Sequence, residues 1–358
     1  MTGRRRKTSV GLLFGGRSAE HEVSLKSAAA VYDRLDPGRF EVVSIFIAKD
    51  GRWGRVASPS APPSRLKAAR SFLPWSNKGL PAALKADIYF PVLHGPYGED
   101  GTIQGLLEMA DVPYVGAGVL ASAAGMDKAV MKTLFAARGL PIVKHVTLAE
   151  GEWRAAPAKV LAHFRAGFEL PLFVKPANLG SSVGISKVKA WEATGPALDA
   201  AFAYDRKVVV EQGVRAREIE CSVLGNDAPR ASLPGELIPA GDSEFYDYAD
   251  KYEKGQTGFR IPAPLPPDRT EEARRLAVEA FRAVDGAGLA RVDLFLDEAS
   301  GRFFVNEINT LPGFTAISMY PRLWEATGLP FAALVEELIR LGFERHAAKK
   351  RRVDKRAP

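Results

Sequence analysis

The clearest spacing of chemically useful side chains lies in two strand-like stretches near the C-terminus. Arg291 and Asp293 are two positions apart in the first stretch, and Glu307 and Asn309 are two apart in the second. Side chains two apart in a strand share a face, and the turn between the stretches would pair the strands. Carboxylate and carboxamide oxygens suit Mg²⁺, which also keeps waters and bridges to nucleotide phosphates. An exposed hairpin with ordinary polar residues would show the same spacing, so the pattern alone leaves both interpretations open.

The stretch LFVKPANLGSSVGISKV, residues 172–188, has the features of an anion-binding loop. A predicted strand delivers Lys175, and the glycines and serines that follow allow backbone N–H groups close to a phosphate. A plain hairpin with a Gly/Ser turn is the alternative, and neither the P-loop nor the dinucleotide pattern occurs. Lys128 follows Asp127, a candidate helix N-cap. Lysine opposes the helix dipole there, so the position favours either a phosphate contact or simple exposure.

Three further polar residues follow predicted strands. Glu20 lies in FGGRSAEHEVSL and His94 in PVLHGPYGEDG. Ligands bind beyond the carboxyl ends of parallel strands, so Glu20 is placed to pair with a substrate ammonium, and His94 either meets the substrate or anchors its loop. Glu211 ends the apolar run VVVEQGV, where its carboxylate would accept from ribose hydroxyls or face solvent.

Composition limits the class of protein. The 358 residues are 46% hydrophobic and 25% charged, which predicts two or three folded domains. No apolar run reaches the roughly 18 residues of a membrane span, and no signal-peptide core follows the basic start. The net charge of +7 is concentrated in residues 4–7 and 345–356, unlike a basic nucleic-acid groove. Cys221 is the only cysteine and is expected to be buried, so no internal disulfide can form and a reducing compartment fits. Together these features predict a cytoplasmic protein with neither membrane nor nucleic-acid partner.

The elements that position these residues change character along the chain. Short apolar runs alternate with helical stretches in the first third, which predicts a parallel α/β layer with a helix at residues 23–35. A helix over 127–139 introduces a smaller α+β unit, and the last third predicts a helix at 269–284 followed by paired strands. The predicted domains are 1–125, 126–212 and 213–346, with a basic tail at 347–358.

From residue 10 to about residue 346, the chain resembles the ATP-grasp carboxylate–amine ligases, specifically the D-alanine:D-alanine ligase family. The resemblance rests on motifs that occur in the family's order: GGRSAEHEVSL, LHGPYGEDG, GMDK, VKPANLGSSVG, VEQGV, REIECSVLGN, FYDYADKY, ARVDLF and NEINTLPGFTAISMYP. It implies the ATP-grasp fold, in which an N-terminal parallel α/β domain precedes two α+β domains that grip ATP, and it suggests a homodimer. It also implies ligation of two D-alanine molecules through D-alanyl phosphate, for peptidoglycan precursors.

The resemblance implies a role for each nucleotide-side residue. Lysines would bind the ATP phosphates, the loop 180–184 would close over them, and residues 211–218 would hold the adenosine. The expected ATP-binding residues are Lys128, Lys175, Gly180, Ser182, Glu211, Val214, Glu218 and Lys251. Asp293, Glu307 and Asn309 would bind two Mg²⁺ or Mn²⁺ ions.

On the substrate side, the resemblance implies that Glu20 pairs with the ammonium of the first D-alanine, with His94 near that subsite. Arg291 and the backbone N–H of Gly313 would stabilise charge on the reacting carboxyl group, and Ser318 would bind the second carboxylate. Two residues would join Glu20 in a hydrogen-bonded group that closes the site: Ser181 and Tyr252.

Tyr252 also bears on the alternatives. In the resembled family, tyrosine at this position goes with dipeptide synthesis, whereas phenylalanine or histidine goes with ester-forming relatives that take D-lactate. A depsipeptide ligase is therefore the alternative within the class. Outside it, a nucleotide-binding regulator without chemistry is the rival, which the complete set of predicted metal ligands disfavours.

Overall fold

The computed structural model describes residues 6–61, 84–180, 183–238 and 258–353. The first part forms a four-stranded sheet in the order β3-β2-β1-β4. Its strands are β1 (Thr8–Gly15), β2 (Phe40–Ile47), β3 (Trp53–Val56) and β4 (Ile88–Val92), and its helices are α1 (His21–Tyr32), α2 (Thr102–Met109) and α3 (Val119–Met126). Strand β1 is parallel to β2 and β4, and only β3 is antiparallel.

This arrangement confirms the predicted parallel α/β layer. The inner strand β1 reads TSVGLLFG and is buried over most of its length, as a strand covered on both faces requires. Because β1 and β4 are parallel, their carboxyl ends meet at one edge of the sheet. The loop carrying Glu20 and the loop carrying His94 both leave from that edge.

The middle of the chain forms a second sheet, antiparallel throughout, in the order β5-β8-β6-β7. Helix α4 enters it at Lys128, and the side chain of Asp127 accepts hydrogen bonds from two first-turn N–H groups, as predicted for the N-cap. The elements of this unit are α4 (Lys128–Ala137), β5 (His145–Ala149), α5 (Glu150–Ala155), α6 (Pro157–Gly167), β6 (Leu172–Pro176), β7 (Ser186–Val188), α7 (Thr194–Phe202) and β8 (Lys207–Gln212).

The third sheet is also antiparallel, in the order β12-β11-β9-β13-β14, with β10 beside β9. Its strands are β9 (Ala216–Gly225), β10 (Arg230–Ala231), β11 (Gly235–Ile238), β12 (Gly258–Arg260), β13 (Gly288–Asp297) and β14 (Phe303–Asn309). The accompanying helices are α8 (Pro267–Ala283), α9 (Met319–Ala326) and α10 (Phe331–Val353).

Strand β13 shows that the third sheet has one apolar face in the core and one polar face opposite to it. Ala290, Val292 and Leu294 are buried in one core with α8, while the alternate residues Arg291 and Asp293 lie on the opposite face. Cys221 on β9 is fully buried in the same core, as expected, and burial raises the pKa of its thiol.

The last helix closes the molecule. Apolar residues of α10 share a core with β1 and β4, so the C-terminal end of the chain packs on the N-terminal sheet. The helix runs to Val353, and Lys349 of the predicted basic tail pairs with Glu108 on α2. The predicted domain limits stay predictions. Within the described ranges, no helix is both long and apolar enough to cross a bilayer.

Candidate active site

One cavity lies where the loops of the three sheets meet. Residues from all three parts of the chain line it, including nine that the sequence predicted for the site. They are Glu20, His94, Lys128, Gly180, Arg291, Glu307, Asn309, Gly313 and Ser318. The fold therefore brings together side chains that are almost 300 residues apart in the sequence.

A second cavity lies between the second and third sheets. The four remaining described residues predicted to bind the nucleotide line it: Lys175, Glu211, Val214 and Glu218. Phe173 and Phe295 add aromatic surface, which suits a planar heterocycle. Ser181, Ser182, Lys251 and Tyr252 lie outside the described residues, and their roles stay predictions.

The predicted strand pair forms in register. Asp293 faces Glu307 across β13 and β14, and Arg291 faces Asn309. Arg291 donates two hydrogen bonds of 2.6 Å to the two oxygens of Asp293, and its Nε lies 3.3 Å from Glu220 Oε2. Burial alone would lower the pKa of Arg291, but the two carboxylates outweigh it and hold the pKa above its usual value. Asp293 itself does not line either cavity, because it turns toward Arg291.

A chain of hydrogen bonds fixes His94. Its Nδ1 lies 3.2 Å from the carbonyl oxygen of Leu311, so this nitrogen carries the proton and donates. Its Nε2 then accepts from Ser27 Oγ at 3.2 Å, and the same Oγ accepts from the N–H of Phe314 at 3.2 Å. Burial lowers the pKa of His94, which agrees with a neutral ring. Of the two interpretations left open, the structure supports the anchoring one while leaving His94 on the cavity wall.

The chain after β14 wraps closely around Ser318. Its Oγ accepts from the N–H of Thr315 at 3.0 Å, and a Cβ on residue 313 would lie only 2.7 Å from it. A larger residue at 313 would therefore force the hydroxyl of Ser318 to move. The backbone of Gly313 and the hydroxyl of Ser318 thus line one wall, where both were predicted to act.

Two family models match the chain in sequence order. The one described as D-ala D-ala ligase N-terminus matches residues 9–117, and the one described as D-ala D-ala ligase C-terminus matches residues 134–340. The chain belongs to the D-alanine–D-alanine ligase family. This assignment confirms the ATP-grasp fold expected from the motifs.

Individual members of the family match over nearly the full chain. The D-alanine–D-alanine ligase of Solibacter usitatus is 50% identical over 343 residues, covering 96% of this chain and 98% of the relative. The solved D-alanine–D-alanine ligase of Coxiella burnetii is 38% identical with a TM-score of 0.86, over 97% of both chains. VanG, a D-Ala:D-Ser ligase from Enterococcus faecalis, is 32% identical with a TM-score of 0.82, over 94% of this chain and 100% of VanG.

In this member of the D-alanine–D-alanine ligase family, sequence reasoning missed Glu99. It lines the first cavity, and its Oε1 accepts from the N–H of Gly95 at 2.8 Å. Burial and the nearby charge of Glu20 raise the pKa of Glu99 to about 8, although Lys128 and Arg291 oppose the shift. The residue stands in the motif LHGPYGEDG, but nothing in the motif distinguishes a buried glutamate from an exposed one.

The second missed residue is Lys132, one turn after Lys128 in α4. Lys128 Nζ donates to the carbonyl of Leu179 at 2.6 Å, beside Gly180, which agrees with its predicted place near the Gly/Ser loop. Lys132 instead points to Glu211. Glu211 is 2% exposed and paired with two lysines, so its carboxylate is not the solvated strand end that was the alternative.

Proposed function

We propose that this chain joins two D-alanine molecules in an ATP-dependent reaction through D-alanyl phosphate, and so supplies a dipeptide for peptidoglycan. The observation that carries the proposal is the shared cavity. It places two N-terminal residues, Glu20 and His94, against the C-terminal residues Arg291, Glu307 and Ser318. A regulator without chemistry would have no need of an amino-acid site beside a nucleotide site, and relatives of up to 50% identity carry the name of the ligase.

The nucleotide is proposed to bind with its base and ribose in the second cavity, beside Val214 and Glu218. Lys175 lines that cavity and Lys128 lines the first, so their two ammonium groups mark the direction in which the phosphates would run. Lysines neutralise the charge that moves onto the leaving ADP, and this electrostatic term is a main part of catalysis in phosphoryl transfer.

The donor set at the strand pair fits Mg²⁺. Asp293, Glu307 and Asn309 would hold it, although Asp293 would have to exchange Arg291 for the metal. The described residues contain no group of three His, Cys, Asp or Glu side chains arranged to hold a metal ion by themselves, so waters and phosphates would complete the coordination shell. Bound there, Mg²⁺ would supply positive charge to the phosphoryl group being transferred.

The chemistry needs no protein nucleophile. The carboxylate of the first D-alanine attacks the γ-phosphorus of ATP, and ADP leaves. The second D-alanine, after losing a proton from its ammonium, attacks the acyl carbon, and phosphate leaves with the bonding electrons. We assign Glu20 to the first ammonium, Arg291 and the N–H of Gly313 to the acyl oxygen, and Ser318 to the second carboxylate. The cavity would hold the amine near the acyl phosphate and keep water away from it.

The test incubates the protein with ATP, Mg²⁺ and D-alanine and measures phosphate release together with dipeptide by mass spectrometry. L-alanine serves as the control substrate, and D-serine and D-lactate compete with D-alanine for the second position. Equal phosphate and D-alanyl-D-alanine are expected. No dipeptide would refute the proposal, and a predominant D-alanyl-D-lactate or D-alanyl-D-serine product would move the chain to another branch of the family.

We also infer that the protein is cytoplasmic, because ATP and the precursor are intracellular. We further infer that it forms a homodimer. Exposed apolar side chains support self-association through the N-terminal unit: Met109 is 71% exposed and Leu120 is 63% exposed. Size-exclusion chromatography with light scattering tests the dimer, since a monomer at micromolar concentration would refute it.

A further inference from the structure

A buried charge cluster joins helix α4 to strands β6 and β8. Lys132 Nζ lies 2.9 Å from Glu211 Oε1, and Lys175 Nζ donates to Glu211 Oε2 at 2.7 Å. The side chains of Lys132, Glu211 and Lys175 are 1%, 3% and 9% exposed. One carboxylate therefore has a lysine on each oxygen.

The two lysines stand in different places. Lys175 lines the nucleotide cavity, whereas Lys132 lines neither cavity. Lys132 also donates to the carbonyl of Asn306 at 3.3 Å. Asn306 is the extra residue of a β-bulge, because Asp293 pairs with Glu307 and Leu294 with Val305. The bulge leaves Asn306 unpaired in the strand ladder, so its carbonyl oxygen can accept the hydrogen bond from Lys132.

The charges of the cluster decide what Lys175 offers to a ligand. Burial would raise the pKa of Glu211, but Lys132 and Lys175 outweigh it and lower the pKa to about 2. Glu211 is therefore an anion at neutral pH. Burial lowers the pKa of Lys132, and the charge of Glu211 opposes that shift. With both lysines protonated, the cluster carries a net charge of +1. Without Lys132, Glu211 would cancel Lys175, and the cluster would present no net charge to phosphates.

We propose that Lys132 is a positioning residue for the nucleotide: it neutralises Glu211, so that the positive charge of Lys175 remains available to the polyphosphate. The inference rests on the proposed function, since it deepens the account of the ATP site. Lys132 acts through Glu211 and Lys175 and does not itself touch the ligand. The low-dielectric surroundings make this neutralisation stronger than it would be at the surface.

The test is a charge cycle read by ADP binding without Mg²⁺, using calorimetry on the full chain. Lys132→Met brings the cluster to zero, and the double variant Lys132→Met, Glu211→Gln returns it to +1. The expected affinity is weakest for Lys132→Met, by roughly 10-fold against wild type. Affinity should recover in the double variant. Lys159→Met, which removes an exposed lysine from α6, is the matched control and should bind as wild type does.

A role in packing alone would give a different pattern. The double variant would then bind no better than Lys132→Met, and that result would overturn the proposal, as would equal affinity of Lys132→Met and wild type. If Lys132→Met fails to fold, the charge-balanced double variant still decides: a roughly 10-fold loss of its ADP affinity against wild type refutes the charge account. Failure of the wild type to make dipeptide would refute the proposed ligation while leaving this order of ADP affinities intact.

Discussion

The guanidinium of Arg291 interacts with two carboxylates. Both oxygens of Asp293 accept from it, and Glu220 lies beside it. Asp293 is also one of the residues that would hold Mg²⁺, so this ion pair joins the predicted metal site to the predicted oxyanion-stabilising residue. The sequence placed both residues on one face of a strand but did not predict that they would pair with each other.

The metal assignment gives a first prediction. Glu307→Gln keeps the shape of the side chain but removes its charge, so the phosphoryl group would lose neutralisation, and the ligation rate should fall by roughly 100-fold or more. Dipeptide formation at saturating Mg²⁺ measures it, with far-UV circular dichroism to confirm folding. Glu325→Gln, an exposed glutamate on α9, is the control and should keep the wild-type rate. A near-normal rate in Glu307→Gln would remove Glu307 from the metal site.

Glu99 gives a second prediction, in the pH dependence of stability. Its pKa is raised to about 8 in the folded protein, against an ordinary value of 4.5. Between these values the folded state binds more protons than the unfolded state, so this residue makes stability fall as pH rises from about 5 to 8. Glu99→Gln cannot ionise and should gain stability relative to wild type over that interval.

Urea unfolding of both proteins at pH 5, 6, 7 and 8 measures the effect. The difference in unfolding free energy should change in favour of Glu99→Gln as pH rises. A constant difference across the range would mean that Glu99 titrates normally in the folded protein.

At the scale of elements, Ser27 on α1 connects the end of β4 to the segment after β14. The Oγ of Ser27 accepts a hydrogen bond from the N–H of Phe314 and donates one to Nε2 of His94. Ser27→Ala should leave a buried N–H and a buried ring nitrogen without partners, at a cost of about 1–3 kcal/mol in unfolding free energy. Ser60→Ala, at an exposed serine, is the control and should cost almost nothing. Unfolding in urea measures both, and an equal, negligible loss would mean that water replaces the hydroxyl.

Elements with strong patterns could be predicted from the sequence, and some contacts between them could not. The turn between the two stretches was enough to predict that β13 pairs with β14, and the spacing of Arg291 and Asp293 was enough to place both on one face. Helix α1 was predicted two residues late at its start, because His21 and Glu22 look polar although His21 is buried, and three residues late at its end. Lys132 and Glu99 were missed because a charged residue looks the same in sequence whether it is buried with partners or exposed.

On the scale of the whole molecule, the C-terminal helix α10 packs on the N-terminal sheet. Leu338 on α10 is fully buried in the core that contains Val10 and Phe90 of the first sheet. At the rim, Arg345 stacks over Tyr114 and lies 3.1 Å from Glu108, whose Oε1 also accepts from Tyr114. Periodicity can predict that α10 is amphipathic. It cannot predict that the apolar face of α10 packs on the first sheet, because that sheet is more than 200 residues away in the sequence.

The contact between α10 and the first sheet gives the last prediction. Leu338→Ala leaves a cavity between the C-terminal helix and the N-terminal sheet, and should lower the unfolding free energy by about 2–5 kcal/mol. Because the two ends share one core, the loss should appear in a single transition, with Trp fluorescence and far-UV circular dichroism coinciding in urea. Val130→Ala, at a valine of α4 that is 42% exposed, should change stability by less than about 0.5 kcal/mol. If Leu338→Ala instead detaches the last helix in a separate early transition while the remaining structure unfolds at the wild-type midpoint, the first sheet does not depend on α10. The shared core would then be a contact between independently stable parts.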